Sequence, residues 1–458
     1  MTKIKKTKVK KRENEPEWFV FEEIFKVNPQ TATSYAPYFD KDYLRNYLRK
    51  DLKLKNYPPQ EVLFIYEKGN MKLCYNIVAL ESLAEKIKNK TLKNPLWAIR
   101  ANKDIRKRSD KLIKIGQRIL DTDLKKLSDR NIYELYREYY VSHLNMHLSG
   151  WFGNLLDYNG IFNDYLSKYL EEKIKGILNL SIPETINLLT EAKELSNAQK
   201  EEIDILRILR FIITSKETKL LFLKKKAEDI LSELPLINPK INRLLNAHVE
   251  KYGWLSYQFE GPGWDKKYFI EKIKELVVTK VNPDKLIKEI RNRPKKADKI
   301  RENIIKRLKI DKKHQKLFQI YADTVFLKGY RKDAMFFGCY TRDLILKEIS
   351  QRQDIPIKFL RYAYFNEMED LIVRRTIPKK LLQERFNYHI YFYQEGVGSK
   401  ILVGNKARQF VKELKWRKVK IEKVTELKGM CASPGQVKGR VAIVNVVEDI
   451  KKSKKEIF

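Results

Sequence analysis

Between Leu80 and Arg375 apolar residues recur three and four positions apart, and glycine is sparse. That spacing puts one apolar stripe on each successive helix and predicts an antiparallel assembly of about eight to ten helices. No fixed period of roughly 30 to 45 residues emerges, so the pattern is not that of a solenoid. Two helix starts carry capping-box spacing, Ser181-x-x-Glu184 and Ser196-x-x-Gln199. Asn238-Pro239, Asn282-Pro283 and Arg293-Pro294 are expected to separate later helices, because proline excludes the preceding residue from helical geometry.

The period shortens at both ends of this stretch. Val62–Tyr66 and Met71–Tyr75 read as two short strands joined across Gly69, with a helical flank from Asp42 to Leu52. Phe386–Phe392 and Lys400–Val403 flank Glu395-Gly396-Val397-Gly398 and predict a second hairpin, after which Lys406–Trp416 returns to helix. The expected fold class is mainly α with small α+β parts. Its divisions are a basic tail over 1–17, a small α+β region over 18–90, a helical domain over 91–380, a hairpin-plus-helix linker over 381–425 and a further module over 426–458.

Composition agrees with a globular chain: 458 residues, 43% of them hydrophobic. No run reaches the roughly 18 apolar residues of a membrane span and no apolar stretch follows the basic amino terminus, so a cytoplasmic protein is expected. Cys74, Cys339 and Cys431 lie far apart, as reduced, buried thiols would. The net charge of +36, from 95 Lys and Arg against 59 Asp and Glu, suits an anionic partner. Nucleotides, nucleic acid and acidic lipid surfaces would all fit. The excess is spread along the whole chain and is largely lysine, as a lysine-biased composition without a binding role also gives, so nucleic acid is not the favoured partner.

Three constellations carry candidate chemistry. His143 and His147 stand four apart on one helical face, a zinc-helix spacing, but no glutamate base and no third ligand accompany them, so packed histidines and no metal are expected. His248, Tyr252, Trp254 and Trp264, around Gly261-Pro262-Gly263, form the densest aromatic cluster and would either line a pocket or build a corner. Lys328-Gly-Tyr-Arg331-Lys332 and the run from Arg342 to Arg352 repeat positive charge on successive turns. Arginine's fork suits phosphate, which makes Arg331 and Arg342 the candidate anion binders. No Walker-type or dinucleotide loop is visible, and no cofactor site can be read directly.

Near the carboxyl end stands Gly429-Met-Cys-Ala432-Ser433-Pro434-Gly435-Gln-Val-Lys-Gly439-Arg-Val441, a tight turn leading into a β-branched segment. This stretch resembles the opening of the mobile phosphohistidine domain of the phosphoenolpyruvate-utilising enzymes, the group of phosphoenolpyruvate synthase and pyruvate phosphate dikinase. The matching positions are Gly429, Ala432, Ser433, Pro434, Gly435, Gly439 and Val441. The passage from His248 to Trp264 is similar to one in helical proteins that carry such a domain. The resemblance implies a swivelling β/α domain and phosphoryl transfer through a covalent histidine. It further implies ATP, magnesium and phosphoenolpyruvate or pyruvate as reactants, met on separate nucleotide-binding or phosphoenolpyruvate-binding domains. The family's carrier histidine follows this segment in a glycine-rich turn, and the chain is expected to stop short of it. None of the five histidines present matches it, so no catalytic residue is assigned. A non-catalytic basic scaffold binding nucleic acid or an anionic partner is the alternative expectation.

Overall fold

The computed structural model describes residues 17–31, 43–174 and 180–417. In chain order the elements are β1 (Trp18–Ile24), α1 (Tyr43–Asn46), β2 (Glu61–Glu67), β3 (Asn70–Asn76), α2 (Ile77–Lys93), α3 (Pro95–Leu120), α4 (Asp129–Leu156) and α5 (Ile161–Ile174). After these come α6 (Ile182–Thr190), α7 (Asn197–Thr214), α8 (Lys216–Lys224), α9 (Ala227–Ile237), α10 (Pro239–Tyr252) and α11 (Lys266–Val278). The chain continues through α12 (Pro283–Arg307), α13 (Lys312–Gln353), α14 (Ile357–Leu360), α15 (Lys379–Asn387), β4 (His389–Gln394), β5 (Gly398–Val403) and α16 (Gly404–Glu413). The architecture is mainly α with one small antiparallel sheet. Among the described residues no helix is long and apolar enough to cross a membrane.

The helix starts follow their side chains. Ser181 and Ser196 each close a complete capping box, and Asn238 and Asn282 accept from the third backbone N–H beyond them while Pro239 and Pro283 occupy the first helical position. Pro294 behaves otherwise. It lies inside α12, with buried Ile287 and Ile290 on one side of it and Ala297 and Ile304 on the other. Packing of that continuous apolar face outweighs the one hydrogen bond proline removes. The helices are also more numerous than expected, because short ones such as α8 and α9 merge with their neighbours in the sequence pattern.

The two hairpins, expected as parts of separate regions, form a single sheet of order β1-β3-β2-β4-β5, antiparallel at every step. Strand β2 is the seam: Val62 faces Tyr75 on one side and Tyr393 on the other. Alternation explains why both hairpins are needed. Val62, Phe64, Tyr66, Tyr391 and Tyr393 point into the helical core, while Leu63, Cys74, Ile390 and Trp18 form a second apolar layer with Ala407 of α16. The turn between β2 and β3 has positive φ at Lys68 and Gly69, as a two-residue hairpin requires. Strand β1 escapes a pattern reading because its alternation is broken by an irregularity between Val20 and Glu22.

The helices bury two cores. The larger joins the sheet to α2–α5 and α13, and the smaller is built by α7–α11 with Ile287 and Ile290 of α12. Cys74 and Cys339 are buried, and burial pushes the Cys74 thiol up to about 12. Cys431 and all seven positions of the motif from Gly429 to Val441 lie outside the described residues.

Candidate anion-binding site

Helices α3, α4 and α13 pack against one another. On α4, His143, His147 and Gly150 follow one another by four and three residues, which places them on one face. On α13, Lys328, Arg331, Met335, Cys339 and Arg342 do the same. Packing these faces together collects every polar group that the sequence singled out between 143 and 147 and between 328 and 342, apart from exposed Lys332.

Arg342 is fully buried and fully engaged. Its Nε donates to Asp343 Oδ1 at 2.9 Å, Nη1 to Thr31 Oγ1 at 3.0 Å, and Nη2 to the Phe259 carbonyl at 3.0 Å. Asp343 Oδ2 accepts from the Tyr257 hydroxyl at 2.6 Å and from Arg361, which also donates to Glu260 at 3.1 Å. Asn28 completes the ring by donating to Glu260 at 2.8 Å. Two guanidiniums face two carboxylates, so the group is close to neutral. Burial alone would raise the Asp343 carboxyl, but Arg342 and Arg361 hold it below its ordinary value; at Glu260 burial wins and the pKa rises. Arg342 has no N–H to spare for a ligand.

Arg331 presents the opposite case on the same helix. It is only 8% exposed, yet among the described residues it has neither a hydrogen bond nor an ion pair. Burial lowers its pKa to about 10, and Glu22 of β1, an exposed residue, is the acid whose charge reaches it. The guanidinium lies over the backbone of Gly150, where a Cβ would sit 2.6 Å from Nε and 2.7 Å from Cζ. A larger residue at this position would have to displace the end of the Arg331 side chain. One turn earlier, Lys328 is half-buried and likewise lacks a hydrogen bond or ion pair among the described residues; burial lowers its pKa and the charges of Arg331 and Lys332 add to the effect, against Asp157.

The two histidines on α4 divide in the same way. His143 Nε2–H donates to the Thr31 carbonyl at 3.3 Å, so Nδ1 is the acceptor for the Tyr139 hydroxyl at 3.0 Å. Burial, then Arg342, brings its pKa to about 3. His147, whose ring centroid is 4.7 Å from that of His143, has a buried Nε2 without a partner, and burial, His143 and Arg331 all keep it neutral. Among the described residues no group of three or more His, Cys, Asp or Glu side chains is arranged to hold a metal ion.

The aromatic cluster builds a corner. His248 Nε2 meets Glu201 at 3.0 Å, Tyr252 donates to Asp204 at 2.7 Å, and Trp264 stacks on Tyr268 with centroids 4.6 Å apart. Trp254 donates to the Lys251 carbonyl and packs on Phe337. A cavity of about 190 Å³ opens beside this corner, lined by Lys26, Ser256, Tyr257, Glu260 and Pro262 among others, and none of the four aromatic candidates lines it.

Sequence reasoning reached Arg331 and Arg342 together but not what separates them. The partners that occupy Arg342, namely Asn28, Thr31, Phe259 and Arg361 acting through Asp343, come from distant parts of the chain. No protein-family model matches this chain, and no curated protein matches it.

Proposed function

We propose that this chain is the helical body of a cytoplasmic phosphoryl-transfer protein related to the phosphoenolpyruvate-utilising enzymes. The observation that carries the reading is the spacing of Gly429, Ala432, Ser433, Pro434, Gly435, Gly439 and Val441. The helical body is consistent with a supporting role, because each of its imidazoles is either bonded or enclosed. His143 and His389 are bonded at both ring nitrogens, and His248 is paired with Glu201. His314 is stacked on Tyr169 and bonded to Asp311, and His147 is enclosed between α4 and α13. A phosphoryl carrier must present its nitrogen to two partners in turn, and none of these five does. The carrier in this reading is a different histidine, and ATP with magnesium and phosphoenolpyruvate or pyruvate are met on separate domains.

The test is labelling of the protein as expressed from its own gene with radiolabelled phosphoenolpyruvate or γ-labelled ATP and magnesium. The reading predicts acid-labile, alkali-stable label that peptide mapping places outside His143, His147, His248, His314 and His389. No label under either condition, or label on one of those five, contradicts it.

A further inference from the structure

We infer that Arg331, Lys328 and His147 form a binding site for a small oxyanion of the phosphate class, set between α4 and α13. The inference does not depend on the phosphotransfer reading. It starts from a contrast within one helix: Arg342 and Arg331 are both buried, and the chain surrounds the first with acceptors and the second with none among the described residues.

An arginine cannot escape this situation by losing its proton. Burial lowers the Arg331 pKa, yet leaves the group charged at neutral pH. A buried and uncompensated charge is among the least favourable arrangements a fold can hold. Lys328, on the neighbouring turn, adds a second cation without an ion pair among the described residues, and the charge of Arg331 disfavours its charged form. Glu22 is the acid whose charge reaches Arg331, and it is bonded to neither cation. Lys328 and Arg331 stand on successive turns of α13, neither in an ion pair among the described residues, with Asp157 and Glu22 as the acids whose charges reach them. Two such cations match a doubly charged ligand better than a singly charged one. The guanidinium fork takes two oxygens in one plane, and the ammonium can meet a third. His147 supplies the remaining feature, a buried Nε2 with its hydrogen-bonding capacity unused. A neutral imidazole there can contact the ligand without adding a third charge. Gly150 completes the arrangement by letting the guanidinium lie against the α4 backbone. A tetrahedral dianion, whether inorganic phosphate or the head of a phosphate monoester, has oxygens enough for all three groups and matches the two cations in charge, which a singly charged carboxylate does not.

The experiment uses the full chain and inorganic phosphate as the probe, read by equilibrium dialysis and by the melting temperature, with acetate and chloride at matched ionic strength as comparisons. The expected result is saturable phosphate binding with a concentration-dependent rise in Tm that neither acetate nor chloride reproduces. Arg331→Met should lose that binding, and Lys328→Ala should weaken it about tenfold, the loss of one charge-assisted contact. A phosphate monoester such as glycerol phosphate binding more tightly than inorganic phosphate would identify the ester as the preferred form within the same class. Phosphate acting no differently from chloride, acetate acting as well as phosphate, or unchanged binding by folded Arg331→Met would each overturn the assignment. Should Arg331→Met not fold, Lys328→Ala and Arg331→Lys decide the matter in the same assay.

Discussion

Arg331 and Arg342 stand eleven residues apart on one face of α13, both buried, and among the described residues only Arg342 has acceptors for its guanidinium. The difference lies in what the rest of the chain brings to each. The segment at Asn28 and Thr31, the Phe259 carbonyl and Asp343 converge on Arg342, whereas Arg331 meets the bare backbone of Gly150.

Asp343 is the centre of charge balance for the first site, since it touches Arg342, Arg361 and Tyr257 together. Asp343→Asn leaves two guanidiniums facing Glu260 alone. The expected loss is about 3–5 kcal/mol of unfolding free energy, read from urea denaturation. Adding Arg342→Met should recover part of it, because the two residues act as one unit. A loss below about 1 kcal/mol would contradict the network.

Acid should destabilise the protein through its buried histidines. His143 and His389 titrate near 3 in the folded chain, because burial disfavours the imidazolium, against an ordinary value of 6.5. Their folded pKa values are depressed, so between those limits the unfolded chain binds protons that the folded chain refuses. Their contribution is complete above about pH 6.5 and falls as pH drops toward about 3, by roughly 1.4 kcal/mol per pH unit for each histidine. Urea midpoints at a series of pH values between those limits should show the slope, and His143→Gln should reduce it by one histidine's share. An unchanged slope in that variant would contradict the assignment of His143 as buried and neutral.

Gly150→Ala tests the close approach of α4 and α13. The added Cβ would collide with the Arg331 side chain, so a loss of about 1–3 kcal/mol is expected. In an Arg331→Ala background the same change should cost less than about 1 kcal/mol, and a double-mutant cycle measures the difference. Equal costs in both backgrounds would place the guanidinium elsewhere.

Much of this architecture was legible residue by residue. The 3.6 period located the helical body, Ser181 and Ser196 marked their helix starts, and Gly69 and Gly396 marked the hairpin turns, because each of these signals is local. What the sequence hid was long-range. Pairing of Val62 with Tyr393 is fixed by packing both hairpins on one core, and nothing near either residue encodes it. Pro294 looked like a boundary because its cost is local, while the face that carries α12 through it runs from Ile287 to Ile304. The candidate site followed the same rule. Charge spacing along α13 pointed to Arg331 and Arg342 alike, His143 and His147 stood out only as a metal spacing, and their separation into satisfied and unsatisfied members depends on residues from Asn28 to Arg361.

The central claim is that Arg342 is compensated and Arg331 is not, and it is tested most directly by comparing Arg342→Met and Arg331→Met in phosphate-free buffer by urea denaturation. Removing Arg342 leaves Asp343 short of a partner and should cost about 3–5 kcal/mol, whereas replacing Arg331 by an apolar side chain of similar length should leave stability unchanged or raise it by about 1–4 kcal/mol. Equal destabilisation by the two substitutions would contradict the account.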